Sequence, residues 1–114
     1  FPMSVIDKCV IQSGYAANSE TAEYTPATGV RGTLLKFTAT NVTGTAATIT
    51  VKLIPSGGSA GASNTITLTK SIEPGGFYTF PELIGHTLNA GDSLSILAGT
   101  ASALVIRGTA REVS

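Results

Sequence analysis

The sequence of 114 residues is poor in charge, and its few charged side chains are spread along the chain. Charged residues make up 12%, about half of the roughly 25% found in soluble domains. The seven basic and seven acidic residues cancel. A chain without a basic run lacks the electrostatic signature of nucleic-acid or anionic-membrane binding, so we expect neither kind of partner.

Cross-linking residues are also scarce, because cysteine occurs once, as Cys9, and histidine once, as His86. One cysteine cannot form an internal disulfide bond, and the pair supplies too few ligands for a zinc site. Asp92 with Asn89 could be considered for calcium, but a single carboxylate favours a turn-capping role instead. We predict no metal and no cofactor, and we interpret Cys9 as a small buried apolar residue.

Long apolar runs are missing as well. No stretch reaches the roughly 18 apolar residues that span a bilayer. The opening residues FPMSVIDKCVIQ lack the basic start and small-residue cleavage site of a signal peptide. These absences predict a soluble protein assembled in the cytosol, and the length suits one domain with one modest core.

What the sequence does contain is alternation of apolar and polar residues with period two, the pattern of half-buried strands. It occurs in the segments GTLLKFTATNVT, TITVKLI and TITLTKSI. The apolar faces that it predicts are, in order, Leu35, Phe37 and Ala39; Ile49, Val51 and Leu53; and Ile66, Leu68 and Ile72.

Turn signals recur at roughly 8 to 12 residues, a spacing typical of sandwiches and barrels of short antiparallel strands. No extended 3.6-residue period is present, and only PELIGHTL could hold a single helical turn or an irregular crossing, with Pro81 at its start. We predict an all-β protein: an antiparallel β-sandwich of the jelly-roll kind over residues 21–114. Residues 1–20 are predicted to be an N-terminal arm that packs on the body or on a neighbouring subunit.

The run LIPSGGSAGASNTI is rich in glycine, serine and alanine. A phosphate-binding loop would lie between a strand and a helix and would carry Lys-Ser/Thr after its glycines, whereas here both neighbours are predicted strands. The run is longer than most hairpin loops, and loops of that length are commonly functional or disordered. We therefore interpret it as a loop that contacts a partner.

Two groups of residues are the predicted partner-binding elements. The first, in the arm, comprises Phe1, Pro2, Met3, Val5, Ile6, Val10 and Ile11. The second, in the loop, comprises Pro55, Ser56, Gly57, Gly58, Ser59, Ala60, Gly61, Ala62, Ser63 and Asn64.

Catalysis is disfavoured by the residues present. His86 would need a nucleophile and an orienting acid, and no GxSxG-like elbow occurs. Glu82 and His86 are interpreted as a local hydrogen-bonded corner. No catalytic residue is predicted.

Three pieces of the sequence resemble a small protein type encoded in the structural gene modules of tailed bacteriophages. They are NVTGTAATITVKLIPSGGSAGASNTI, EPGGFYTFPELIGHTLNAGDSLSILAG and ALVIRGTAREVS. The resemblance implies a virion component with other virion proteins as partners. Our leading hypothesis is a capsid decoration, or cement, subunit that binds and stabilises the major capsid protein shell and is itself a homotrimer.

Alternatives remain open. Within the same class, the chain could be a tail, neck or fibre subunit. A different class is a carbohydrate-binding, adhesin-like sandwich, although sugar platforms usually expose aromatic rings and this chain has three tyrosines, four phenylalanines and no tryptophan. An enzyme ranks last.

Overall fold

The computed structural model describes residues 4–114, which form two antiparallel β-sheets packed face to face. Within these residues no helix is long and apolar enough to cross a membrane. One short 3₁₀ helix, Ala62–Asn64, lies in the glycine-rich loop. The strands are β1 (Val5–Tyr15), β2 (Thr21–Tyr24), β3 (Arg31–Asn41), β4 (Ala47–Ile54), β5 (Thr65–Ile72), β6 (Phe77–Tyr78), β7 (Thr87–Leu88), β8 (Ser93–Ala98) and β9 (Leu104–Val113).

The strand order is that of a jelly roll. The first sheet has the order β1-β9-β3-β6, with β7 also pairing with β3, and the second has the order β2-β8-β4-β5. Four of the pairings are nested: β4 with β5, β3 with β6, β2 with β8, and β1 with β9. A chain paired in this way is one long antiparallel hairpin, which rolls up when β3 pairs with β9 and β4 with β8. The predicted all-β sandwich is confirmed.

The core lies between the two sheets. Its largest fully buried side chains come from both sheets and from the connection after β6, and they include Phe37, Phe80, Leu34, Ile49 and Ile96. The rings of Phe37 and Phe80 lie 4.7 Å apart between centroids in a tilted pair, a geometry favoured over face-to-face stacking.

Two of the predicted apolar faces are wrong at single positions, and irregular strand geometry is the reason in each case. In β3, Leu34 is buried and Leu35 is only half-buried, because a register shift between Leu34 and Lys36 changes the alternation. In β5, the alternation predicts Leu68 on the apolar face with Ile66 and Ile72, but Leu68 is 73% exposed. The next residue, Thr69, has a positive φ of 45°, and the pairing with β4 shifts nearby.

The segment predicted as an arm is largely strand β1, which forms the edge of the first sheet beside β9. Ile11 belongs to the core and Val10 packs against it, whereas Val5 and Ile6 are more than half exposed. Phe1, Pro2 and Met3 lie outside the described residues. Cys9, expected to be buried, is half-buried at this edge. Residues 81–85 form an irregular turn and no helix.

Candidate functional site: a cationic sheet face

The glycine-rich loop that joins β4 to β5 is exposed but has an internal structure. The Gly58 N–H donates to the Pro55 carbonyl at 2.8 Å, and the Asn64 side chain donates to the Ser59 carbonyl at 2.9 Å. At its start, the Ser56 N–H donates to Asp92 Oδ1 at 2.9 Å. Asp92 also accepts from the Asn89 N–H at 2.9 Å, the turn-capping role expected of it.

The two predicted partner-binding elements reach the same end of the sandwich. Val5 at the start of β1 pairs with Val113, and Glu112 beside it accepts a hydrogen bond of 2.6 Å from the Tyr24 hydroxyl. Tyr24 in turn pairs with Leu94, next to the end of β4, where the glycine-rich loop starts. The elements nevertheless belong to different sheets, so they do not form one continuous surface of a single sheet.

A second surface, which the sequence analysis did not identify, is the solvent-facing side of the first sheet. We call it the cationic face. Alternation along its strands directs a set of polar, charged, aromatic and aliphatic side chains outward, opposite to the core. They are Asp7, Ser13, Tyr15, Arg31, Lys36, Thr38, Thr40, Phe77, Val105, Arg107, Thr109 and Arg111.

Charge is concentrated on this face. It carries four of the seven basic residues and one of the seven acidic residues, hence a net charge of +3 in a chain whose net charge is zero. Asp7 is paired with Arg111 at 2.7 Å, and the hydrogen bond from that guanidinium lowers the pKa of the Asp7 carboxyl. Among the described residues, Arg31, Lys36 and Arg107 have no carboxylate partner.

The cationic face is concave near its middle, where a groove of about 380 Å³ crosses β3 and β9. Lys36 and Arg107 line it together with four hydroxyl side chains, and no carboxylate of the described residues does. Arg107 donates to Ser13 Oγ at 3.1 Å, which holds its guanidinium over the groove. Register shifts in β1 and in β3, on either side of β9, interrupt the regular ladder here, and bulges of this kind bend strands.

An apolar row crosses the same face beside the groove. Tyr15 pairs with Val105, Val105 pairs with Thr40, and Thr40 pairs with Phe77, so the four outward side chains are neighbours across four strands. Phe77 is 68% exposed and Tyr15 is 58% exposed. Exposed aromatic residues combined with arginine are the composition found in the energetic centres of protein interfaces.

Asn41 fixes the end of β3 that carries this row. Its side chain is fully buried, and it donates to the carbonyls of Thr45 at 2.8 Å and Ile72 at 2.9 Å. Its Oδ1 accepts from the N–H and the hydroxyl of Thr43. Its main chain exchanges hydrogen bonds with Gly75 and Gly76, directly before Phe77. Asn41 therefore ties the first sheet to the second and fixes the approach to β6.

The outward side of the second sheet differs from the cationic face. On its inner strand β4, Thr48, Thr50 and Lys52 lie on the side opposite to Ile49 and Val51. Thr48 and Lys52 are partly exposed, whereas Thr50 is buried and its hydroxyl accepts from the Thr69 N–H at 3.0 Å. Lys52 is neutralised by Glu20 at 2.8 Å, and the hydrogen bond from Lys52 is the main cause of the lowered pKa of Glu20. The two sides of the sandwich thus present different chemistry, one cationic and one close to neutral.

The residues weighed for catalysis do not come together. Glu82 accepts hydrogen bonds from the hydroxyls of Thr67 and Tyr78, both at 2.5 Å. Partial burial alone would raise the pKa of Glu82, but these hydrogen bonds and the nearby Lys70 outweigh it, so the pKa is lowered. The His86 side chain is exposed, and its main-chain carbonyl accepts a hydrogen bond from the Leu34 N–H at 3.0 Å. Within residues 4–114, no group of three or more metal-ligating side chains is found.

The cationic face could have been found from the sequence by following the non-core side of each strand. In the last strand, Arg107 and Arg111 fall on the side opposite to Leu104, Ile106 and Ala110. The distribution of charges along the chain does not reveal the cationic face. Its other two cations, Arg31 and Lys36, lie far from Arg107 and Arg111 in sequence, and they come close only because β3 pairs with β9.

No protein-family model matches the chain, and no curated protein matches it. One solved structure that is similar belongs to work described as "Bacillus endospore appendages form a novel family of disulfide-linked pili". It shares 17% identity over 99% of this chain and 88% of that chain, with a TM-score of 0.49.

Proposed function

We propose that this chain is a non-catalytic structural subunit of a larger protein assembly and that it attaches through its cationic face. The form of assembly that the sequence resemblance implies is the virion of a tailed bacteriophage, with the chain as a capsid decoration subunit on the major capsid protein shell. A tail, neck or fibre position is the alternative within the same class.

The observation that carries the proposal is the apolar row next to cations that have no carboxylate partner in the part of the chain that the structure describes. Tyr15 and Phe77 leave most of their ring surface in water at the two ends of the row, about 14 Å apart across three strand spacings. Burying such rings against a partner recovers about 25 cal/mol per Å² of apolar surface. Many copies on one particle would add avidity to contacts that are individually weak.

The sugar-binding alternative is less well supported by the same geometry. A sugar platform needs aromatic rings close enough to stack on one saccharide, whereas these two rings are separated by the two intervening strands β9 and β3. A protein surface, which is wide enough to cover the whole row, is the better match.

Attachment is tested by adding the purified chain back to particles that were assembled without it and measuring the bound chain after sedimentation. Replacing both rings, Tyr15→Ser with Phe77→Ser, should weaken attachment strongly, because a hot-spot side chain contributes about 2 kcal/mol, a factor of about 30. The matched control is Leu68→Ser, which removes the most exposed large apolar side chain of the other sheet.

Equal loss of attachment in the ring variant and in the Leu68 control would contradict the assignment of the cationic face. Absence of any attachment by the unchanged chain would contradict the decoration proposal itself. The predicted loop contact is tested in the same assay, since a chain lacking residues 57–62 should attach less tightly. Trimer formation is tested separately, by the mass of the purified chain in solution.

A further inference from the structure

Lys36 and Arg107 line the groove of the cationic face, and neither forms a salt bridge with any of the described residues. They lie diagonally across β3 and β9, because Lys36 pairs with Thr109 and Arg107 pairs with Thr38. We propose that the groove binds an extended acidic segment of a partner protein, with carboxylates two residues apart on Lys36 and Arg107. This inference deepens the proposed function and rests on it, since it names the chemistry of the surface that the face would meet.

Spacing favours an extended segment. Diagonal neighbours on a sheet have side chains about 7–8 Å apart, within reach of long side chains. In an extended chain, residues i and i+2 point to the same side and are about 6.6–6.8 Å apart. Alternate acidic residues of an extended segment therefore match the two cations without distortion of either partner.

The rest of the lining suits the same occupant. Thr38, Thr40 and Thr109 place hydroxyl groups, which can both donate and accept, along the groove. Val105 adds an apolar contact between them. A peptide offers main-chain N–H and C=O groups to the hydroxyls and carboxylates to the cations.

Charge complementarity supports an acidic protein over a nucleic acid. Arg111 is already neutralised by Asp7, and the whole chain has no net charge, whereas nucleic-acid-binding domains are usually strongly basic. Two local cations that have no carboxylate partner within residues 4–114 are enough for a pair of carboxylates. They are few for a phosphate backbone, which gains its affinity by neutralising many charges.

The proposal is tested on the full chain by fluorescence anisotropy with a labelled peptide in which glutamate alternates with threonine. The control peptide has glutamine at each glutamate position. The chain should bind the acidic peptide and not the glutamine peptide. Binding should weaken as salt rises from about 0.05 M to about 0.5 M, because the screening length falls below about 10 Å.

Substitutions of the two cations test whether the peptide binds in the groove. Lys36→Gln and Arg107→Gln should each weaken binding by up to about fivefold, the range of exposed ion pairs, and together by more. The matched control, Lys70→Gln, removes the same charge from a lysine on β5 that lies over the Tyr78 ring at 4.8 Å. It should leave peptide binding unchanged. Thermal melting checks that the three single variants and the double variant are folded.

Four outcomes would overturn the proposal. Three of them are equal affinity for the two peptides, equal loss in the Lys36 and Lys70 variants, and tighter binding of single-stranded oligothymidylate or inorganic phosphate than of the acidic peptide. The fourth is concentration-dependent self-association through the cationic face in competition with the peptide. This result would assign the face to a second copy of this chain and would overturn the proposal.

The particle assay separates this inference from the proposed function. If the Tyr15 and Phe77 variant loses attachment while the Lys36 and Arg107 variant attaches like the unchanged chain, the structural role stands and the acidic partner is refuted. If the unchanged chain does not attach but binds the peptide through the groove, the decoration role fails and the chemistry of the groove stands.

Discussion

Replacement of Asn41 by aspartate tests whether its buried amide holds the two sheets together. The change keeps the size and shape of the side chain and keeps an oxygen to accept from Thr43. It removes the two N–H donors that bind the carbonyls of Thr45 and Ile72. At neutral pH it also brings a carboxylate within hydrogen-bond distance of two carbonyl oxygens in a position with no solvent exposure.

The magnitude follows from these contacts. Each lost hydrogen bond contributes about 1 kcal/mol, and an unpaired charge in the interior costs several kcal/mol more. We expect the free energy of unfolding at pH 7 to fall by about 4 kcal/mol, a large share of the roughly 5–15 kcal/mol of a typical domain.

The pH dependence of the stability loss in Asn41→Asp is a sharper test than its size, because the direction of the change with pH follows from burial of the new carboxylate. Protonation removes the charge and restores one donor, so the folded state raises the pKa of the new carboxyl above its unfolded value of about 3.9. The loss of stability relative to the unchanged chain should therefore be smallest below about pH 3.9 and should grow as pH rises through the raised folded pKa.

Urea denaturation of both proteins at matched pH values measures this difference and cancels the acid sensitivity that they share. The matched control is Asn64→Asp in the glycine-rich loop, where the amide also donates to a carbonyl, that of Ser59 at 2.9 Å, but lies near solvent. Its effect should stay within about 1 kcal/mol. Similar losses at Asn41 and Asn64, or a loss at Asn41 that does not change with pH, would refute the reasoning.

Other predictions concern the contact between Gly32 and Tyr24, the stability of the fold in acid, and the glycine-rich loop. Gly32→Ala should destabilise the fold by about 1–3 kcal/mol, because a Cβ would overlap the Tyr24 hydroxyl. Tyr24→Phe should relieve part of that loss, and equal losses in both backgrounds would argue against the overlap. The lowered pKa of Glu82 contributes stability that is present above about pH 4.5 and is lost as pH falls through the lower folded value. Glu82→Gln should flatten this part of the stability profile, and an unchanged slope would count against it. Deleting residues 57–62 should shift the melting temperature only slightly, since the loop is held mainly by local hydrogen bonds, and unfolding would disprove that.

The sandwich could be predicted from the sequence because period-two alternation is set by the geometry of single strands. The segment TITVKLI has the predicted faces, with Ile49 and Val51 buried and Leu53 packed against the core. Prediction was wrong at Leu35 and Leu68, where a register shift or a positive φ changes which side a residue faces. Such irregularities depend on the partner strand and leave no clear mark in local sequence.

The candidate site was harder to predict for a related reason. Glycine-rich loops are conspicuous in a sequence, whereas the cationic face is built from residues separated by about seventy positions, such as Lys36 and Arg107. Their proximity comes from the pairing of the third strand with the last, which no local pattern specifies. The predicted loop and arm contacts remain predictions.

The place of β9 has a consequence for how the chain is made. This last strand lies between β1 and β3, and Ser4 and Ser114 exchange two main-chain hydrogen bonds beside it. Until residues 104–113 have left the ribosome, the two earlier strands have no neighbour to bridge them, and their open edges are templates for pairing with other chains. Closure of the first sheet therefore waits for this strand, and nascent copies on one messenger are most prone to entangle before residues 104–113 emerge.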